Sequence, residues 1–142
     1  MEPLLFFHLL AIGIWVGCVA TEVVIELSLA QRVPQQSGLA YLHAQIDRFV
    51  ELPVIVVALF TGLCLLSGVN WDRLLMIKVL IGAAAVILNS VAAFTVQRRW
   101  DCLRLGDMEG YARFHRWHER VGIGCVVSLV GAIVAGGYHL LH

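Results

Sequence analysis

The residues of this chain that carry chemistry are few, and their spacing groups them. His8, Ile12, Trp15, Val19, Glu22 and Glu26 follow one another at steps of three or four, which places them on one stripe of a helix. At about 1.5 Å of rise per residue, Glu22 lies about 21 Å along the axis from His8 and Glu26 about 27 Å. His43, Asp47 and Glu51 recur at i, i+4 and i+8, a second stripe able to face the first. His115, His118 and Glu119 fall in one short segment, and Lys78 and Asn89 share a face. Carboxylates and imidazoles on facing helices are the donors with which bundles hold iron, manganese or zinc. One reading is therefore a site for Fe, Zn or Cu ions built from Glu22, Glu26, His43, Asp47, Glu51, His118 and Glu119, with His8 as a further nitrogen donor. Two histidines at matching depth can instead ligate the two faces of a haem iron. His8 and His139 are so placed, and His43 pairs similarly with His115 or His118. Lys78 would meet a haem propionate if turned inward, and would snorkel to the interface if turned outward.

The elements that position these residues must lie in a membrane. The chain has 142 residues, 60% hydrophobic and only 14% charged, with zero net charge and a mean hydropathy of +0.84. A soluble domain carries about 25% charged residues, so polar surface is too scarce here to coat a water-facing globule. Segments 3–27, 49–69, 74–96 and 121–141 each reach the roughly 20 apolar residues that a crossing needs. They predict a single all-α domain, an antiparallel four-helix bundle. Glu2 stands where a cleavable signal would be basic, so the first span is expected to remain. Arg32, Arg48, Arg98, Arg99, Arg104, Arg113, Arg116 and Arg120 lie in or beside the two long connections, against Arg73 and Lys78 opposite. The positive-inside rule then makes the long connections cytoplasmic and puts both termini on the periplasmic or exterior side of a bacterial inner membrane. It also sorts the acids and His43, His115 and His118 into one cytoplasmic layer, with His8, Trp71, Lys78, His139 and His142 at the other side.

Each polar residue has a plainer account as well. A charge at a helix centre costs about 2.5–3.5 kcal/mol on insertion scales, so Glu22 needs a partner: Arg48 or another arginine, or else a proton, metal or cofactor. Glu26, Asp47 and Glu51 are shallower and suit salt-bridged positions. Cys18, Cys64, Cys102 and Cys125 are widely spaced without a C-x-x-C, so neither a disulfide framework nor a thiolate site is expected. Arginines sited by topology in a neutral chain leave no basic surface for nucleic acid. Gly13-Ile-Trp-Val-Gly17 is a G-x-x-x-G that predicts close helix contact, inside the bundle or across a homodimer.

Taken in order, these residues resemble the HemJ-like and CopD-like superfamily of small bacterial membrane proteins. The pattern is His8 then Trp15-Val-Gly17; Arg48-Phe-Val-Glu-Leu-Pro53 and Thr61-Gly-Leu63; Trp71 and Lys78; and Arg116-Trp-His-Glu119. The resemblance implies a four-helix haem b protein. In one branch it implies oxidation of protoporphyrinogen IX with His8, Arg48 and Lys78 among the functional positions, and in the other copper handling across the inner membrane. The chain departs from the oxidase branch at Ala20-Thr-Glu-Val-Val-Ile-Glu26 and at Leu88-Asn-Ser90. Together, residues and resemblance favour a membrane b-type haem oxidoreductase passing electrons from a quinone or porphyrin-like reductant to an acceptor. His8, Trp15, His118 and His139 would hold the cofactor, and Arg48 and Lys78 would meet propionate or substrate. The alternatives are a metal-binding or metal-transporting bundle, and an assembly subunit in which every polar residue is a salt bridge or an anchor.

Overall fold

The structure, a computed structural model, describes residues 2–29, 36–67 and 69–141. Its elements are α1 (Glu2–Leu29), α2 (Gln36–Ile46), a π-helical turn (Asp47–Glu51), α3 (Leu52–Leu65), α4 (Arg73–Leu105) and α5 (Met108–Leu141). α2, the π turn and α3 run on as one rod, which leaves four rods long and apolar enough to span a bilayer: Pro3–Ser28, Gly38–Leu65, Arg73–Leu105 and Met108–Tyr138. The all-helical four-span fold expected from hydropathy is the fold observed.

Its polarity runs opposite to that of a soluble bundle. Phe6, Val24, Phe60, Leu80, Ile87, Ile123 and Val127 point outward and are largely exposed, whereas His43, Asp47, Glu51, Asn89, Thr95 and Arg99 are buried. An apolar outside around a polar inside is stable only in lipid, so the chain is a multi-pass membrane protein. Trp15, Ile55, Ala85 and Leu129, one from each rod, form an apolar layer across the bundle. Buried Ala40, Ala44, Ala92 and Ala93 let the backbones approach closely around the polar residues. Gly13 and Gly17 do not serve that purpose, because a Cβ on either would meet nothing within 4 Å. The G-x-x-x-G motif faces away from the bundle.

The connection over 97–120, within which Asp107–Glu119 is helix-compatible by sequence, is helical but for one turn. α4 continues to Leu105 and α5 begins at Met108, with only Gly106 and Asp107 between them. Asp72 caps the start of α4, its Oδ1 accepting from the Leu75 N–H at 2.7 Å. Gly106 ends the helix at φ +73°, the Asp107 N–H donates to the Cys102 carbonyl at 2.9 Å, and Asp107 Oδ1 accepts from the Gly110 N–H at 2.8 Å. A Cβ at the left-handed position is strained, so Gly106→Ala is expected to destabilise the hairpin by about 1 kcal/mol. A lower thermal midpoint in detergent would register it; an unchanged one would mean that the turn does not set the hairpin.

The π turn follows from Pro53. Lacking an N–H, proline cannot donate to the Phe49 carbonyl four residues back, and the helix widens just before it: the Leu52 N–H donates to the Asp47 carbonyl, an i→i−5 bond. This widening has an angular effect. Four residues of α-helix over-rotate by about 40°, and four of π-helix, at about 4.4 residues per turn, under-rotate by about 33°. The two nearly cancel, so His43, Asp47 and Glu51 line up on one inward face, where a pure α-helix would spread them over about 80°.

Candidate functional site

At the end of the bundle away from the N-terminus, α1 supplies Glu22 and Glu26, α2 and the π turn supply His43, Asp47 and Glu51, α4 supplies Arg99, and α5 supplies His115 and His118. The layer expected from topology is therefore assembled.

His43 is its hub, with 0% exposure. Its Nδ1 lies 2.9 Å from Glu26 Oε1 and 3.2 Å from Arg99 Nη2, and the nearer carboxylate calls for a proton on Nδ1, which donates to Glu26. In the neutral ring Nε2 then bears a lone pair. That atom faces Asp47 Oδ1 at 3.4 Å and Glu22 Oε2 at 3.7 Å, and no hydrogen-bond partner among the described residues reaches it. Asp47 and Glu51 are 2% and 1% exposed, yet Asp47 Oδ1, Glu51 Oε1 and Glu22 Oε1 likewise have no donor. The Glu22 carboxyl interacts with both of these acids. Acceptors thus converge with nothing but acceptors, an arrangement costly in low dielectric unless a cation or protons stand among them.

The outer oxygens are held in place. Glu51 Oε2 accepts from Asn89 Nδ2 at 2.8 Å, while Asn89 Oδ1 accepts from Trp15 Nε1 at 3.1 Å and from the Cys125 thiol at 3.2 Å. Indole N–H can only donate, which fixes the Asn89 amide and turns Glu51 Oε1 toward the cluster. Trp15 is therefore a supporting residue as well as a packing one.

One turn further out, the fully buried Arg99 forks onto Glu26. Nη1 donates to Oε2 at 2.9 Å and Nη2 donates to Oε1. His115 Nδ1 accepts from Nη1 at 3.0 Å. Thr95 spends its hydroxyl proton on the Ala92 carbonyl at 2.6 Å, so the His118 Nδ1–H donates to Thr95 Oγ1 at 3.3 Å and His118 Nε2 turns its lone pair to Glu26 Oε1, 3.7 Å away. Glu119, 58% exposed, lies at the rim, 3.6 Å from His115 Nε2.

Two groups of donor atoms thus lie within 4.8 Å of one another: Glu22, His43 and Asp47, and Glu26, His43 and His118. They are not equivalent. The second already has the Arg99 cation on its carboxylate, whereas the first has no arginine or lysine among the described residues. Around a tetrahedral ion with bonds near 2.1 Å, neighbouring donors are about 3.4 Å apart, which matches the 3.4 and 3.7 Å separations about His43 Nε2.

Other expected site residues lie elsewhere. Arg48 is exposed with its guanidinium over the Phe49 ring, 5.6 Å from the centroid. It does not hold Glu22; the acid of α1 that an arginine holds is Glu26, and the arginine is Arg99. Being buried, Arg99 also leaves the set of orienting surface charges. His8 sits at the opposite end beyond the Trp15 layer, its Nδ1 3.0 Å from both the Ala58 carbonyl and Thr61 Oγ1. Thr61 gives its own proton to the Val57 carbonyl at 2.7 Å, so His8 donates from Nδ1. It nestles on α3 so closely that a Cβ at Gly62 would be 3.1 Å from His8 Cε1. His8 therefore cannot join the carboxylates around one ion. Lys78 lies across Gly136 of α5, where a Cβ would stand 3.2 Å from its Cε, at the end away from Arg48. The side chain of His139 lies outside the described residues. His43 and His118 pack edge to face with ring centroids 5.2 Å apart, too close for a porphyrin plane between them, so that pairing as haem ligands is corrected.

Sequence reasoning overlooked Arg99, Thr95 and the supporting role of Asn89. A signal was present: Ala85, Asn89, Ala92, Val96 and Arg99 step by four and three along α4 and share its buried face. Compared with protein families, curated proteins and solved structures, the chain matches none.

Proposed function

We propose that this protein binds a first-row divalent transition-metal ion within the membrane, through Glu22, His43, Asp47 and Glu51, as a metal-binding or metal-transporting bundle. The observation that carries this reading is the buried His43 Nε2, set between the Asp47 and Glu22 carboxylates with no hydrogen-bond partner among the described residues. The imidazole's other nitrogen donates to Glu26, the carboxylate–histidine arrangement that orients metal-bound histidines and raises their basicity. The converging groups contain nitrogen and oxygen but no thiol, which suits Zn²⁺, Mn²⁺ or Fe²⁺ better than Cu⁺. By the positive-inside rule the site belongs to the cytoplasmic half of a bacterial inner membrane, with both termini outside. The outward-facing Gly13 and Gly17 suit a homodimer across α1.

A second reading, a b-type haem protein exchanging electrons with a quinone or porphyrin as in the HemJ-like resemblance, is favoured by His8. Donation from Nδ1 to a backbone carbonyl leaves its Nε2 free to ligate. One preparation tests both readings. Metal analysis of the purified protein is expected to find stoichiometric ion that Asp47→Asn abolishes; a Soret band lost in His8→Ala, with no such ion, would instead support haem.

A further inference from the structure

We infer that a side cavity between the second rod and α4 is a water-filled vestibule through which a hydrated divalent ion reaches Asp47, an inference that rests on the ion site proposed above. The cavity measures about 350 Å³ and is lined by Asp47, Arg48, Leu52, Ser90, Phe94 and Gln97. Arg48, Ser90 and Phe94 are exposed, so it reaches the surface. Asp47, only 2% exposed, lies at its inner end, with Oδ1 3.4 Å from His43 Nε2. One carboxylate therefore belongs both to the cavity and to the inner donors. An ion with a shell of six waters takes up roughly 180 Å³ at about 30 Å³ per water, which the cavity can hold.

The backbone beside Asp47 requires this space to be wet. The π turn sends the Leu52 N–H to the Asp47 carbonyl, and Pro53 has no N–H to give. Both amides that could serve the Arg48 carbonyl within the helix are thereby lost to it. That carbonyl points along the rod from Arg48 toward Leu52, and both residues line the cavity. Backbone freed from its helical bonds at membrane depth persists only where protein covers it or where it lines a water-filled cavity. Carbonyls freed in this way serve transporters as oxygen donors to cations. Gln97 Nε2 donates to the Ala44 carbonyl at 3.0 Å, which fixes the amide and leaves Oε1 as its acceptor, and Ser90 adds a hydroxyl. The mouth lies at headgroup depth, because the apolar stretches of the two rods give way there to Asp47-Arg48 and Gln97-Arg98. Arg48, folded over Phe49, is the one cation among the lining residues, so its charge retards an approaching ion. Glu22, 13% exposed, marks a second approach to the inner donors, and the two approaches predict different kinetics.

Zn²⁺ binding to full-length Ser90→Cys in detergent tests the vestibule, with the unaltered chain as the control for its own four thiols. The change is nearly isosteric and at an exposed position. The introduced thiol is expected to react with a neutral, bulky methanethiosulfonate, since the attacking thiolate is disfavoured in dry, apolar surroundings. The modified protein should then take up and release Zn²⁺ about tenfold more slowly in stopped-flow measurements. Its dissociation constant should stay within about twofold, because a plugged route slows both directions alike. Arg48→Gln should act in the opposite sense, speeding association by about threefold at low salt and by less at high salt. An unreactive thiol overturns the inference, and so does uptake that modification leaves unchanged, which would route the ion past Glu22. An unaltered protein that binds no Zn²⁺ at equilibrium overturns the inner-site reading and the route with it. Binding that Asp47→Asn abolishes, at a rate indifferent to the plug, removes the route alone.

Discussion

His43→Ala is expected to lower divalent-metal affinity by more than 100-fold, beyond the roughly 10–100-fold associated with partners that merely orient a ligand. The substitution removes the only nitrogen donor of the inner set and releases Glu26 from its imidazole N–H. Asn89→Ala provides the scale. It leaves every donor in place and removes only the amide that turns Glu51 Oε1 inward, so a loss of about 10–100-fold is expected. Equilibrium dialysis against Zn²⁺ or Mn²⁺ measures both. Equal losses would mean that His43 supports the site without binding the ion.

The second large effect concerns stability. Arg99→Met leaves Glu26 buried without its cation, and breaking one half of such a pair costs about 3–5 kcal/mol. The pair as a whole is worth far less than that, since desolvating both charges offsets much of their attraction. Arg99→Met/Glu26→Gln should therefore recover most of the loss in reversible unfolding from mixed micelles. A double variant as unstable as the single one would place Arg99's contribution outside the pair. A saturating divalent ion should stabilise Arg99→Met more than the unaltered protein, because binding to the folded state adds to its stability and the freed Glu26 is a new donor.

Much of this was legible in the sequence, and the reasons differ residue by residue. The spans were legible because lipid demands about 20 apolar residues in a row. The convergence of Glu22, Glu26, His43, Asp47 and His118 was legible because helical spacing and an up-down topology leave few ways to place them. Arg99 was hidden by its neighbours: in Gln97-Arg-Arg-Trp100 it reads as one more interfacial charge, and only the packing of α4 separates it from exposed Arg98. Over 97–120 the sequence marks Asp107–Glu119 as helix-compatible, whereas the continuation of α4 past Val96 was hidden because charged residues end a hydropathy segment without ending a helix.

The π turn is a place where the second rod can change length without disturbing the hub of the site. A π turn is an α-helix with one surplus residue, absorbed locally without moving the rods on either side. Losing any single residue between Asp47 and Glu51 would restore α geometry and keep α3 packed on α1, with His43 turned by only about 30° relative to α3. A scaffold of this kind can gain or lose a residue at this turn while its four spans and the direction of its hub histidine are kept.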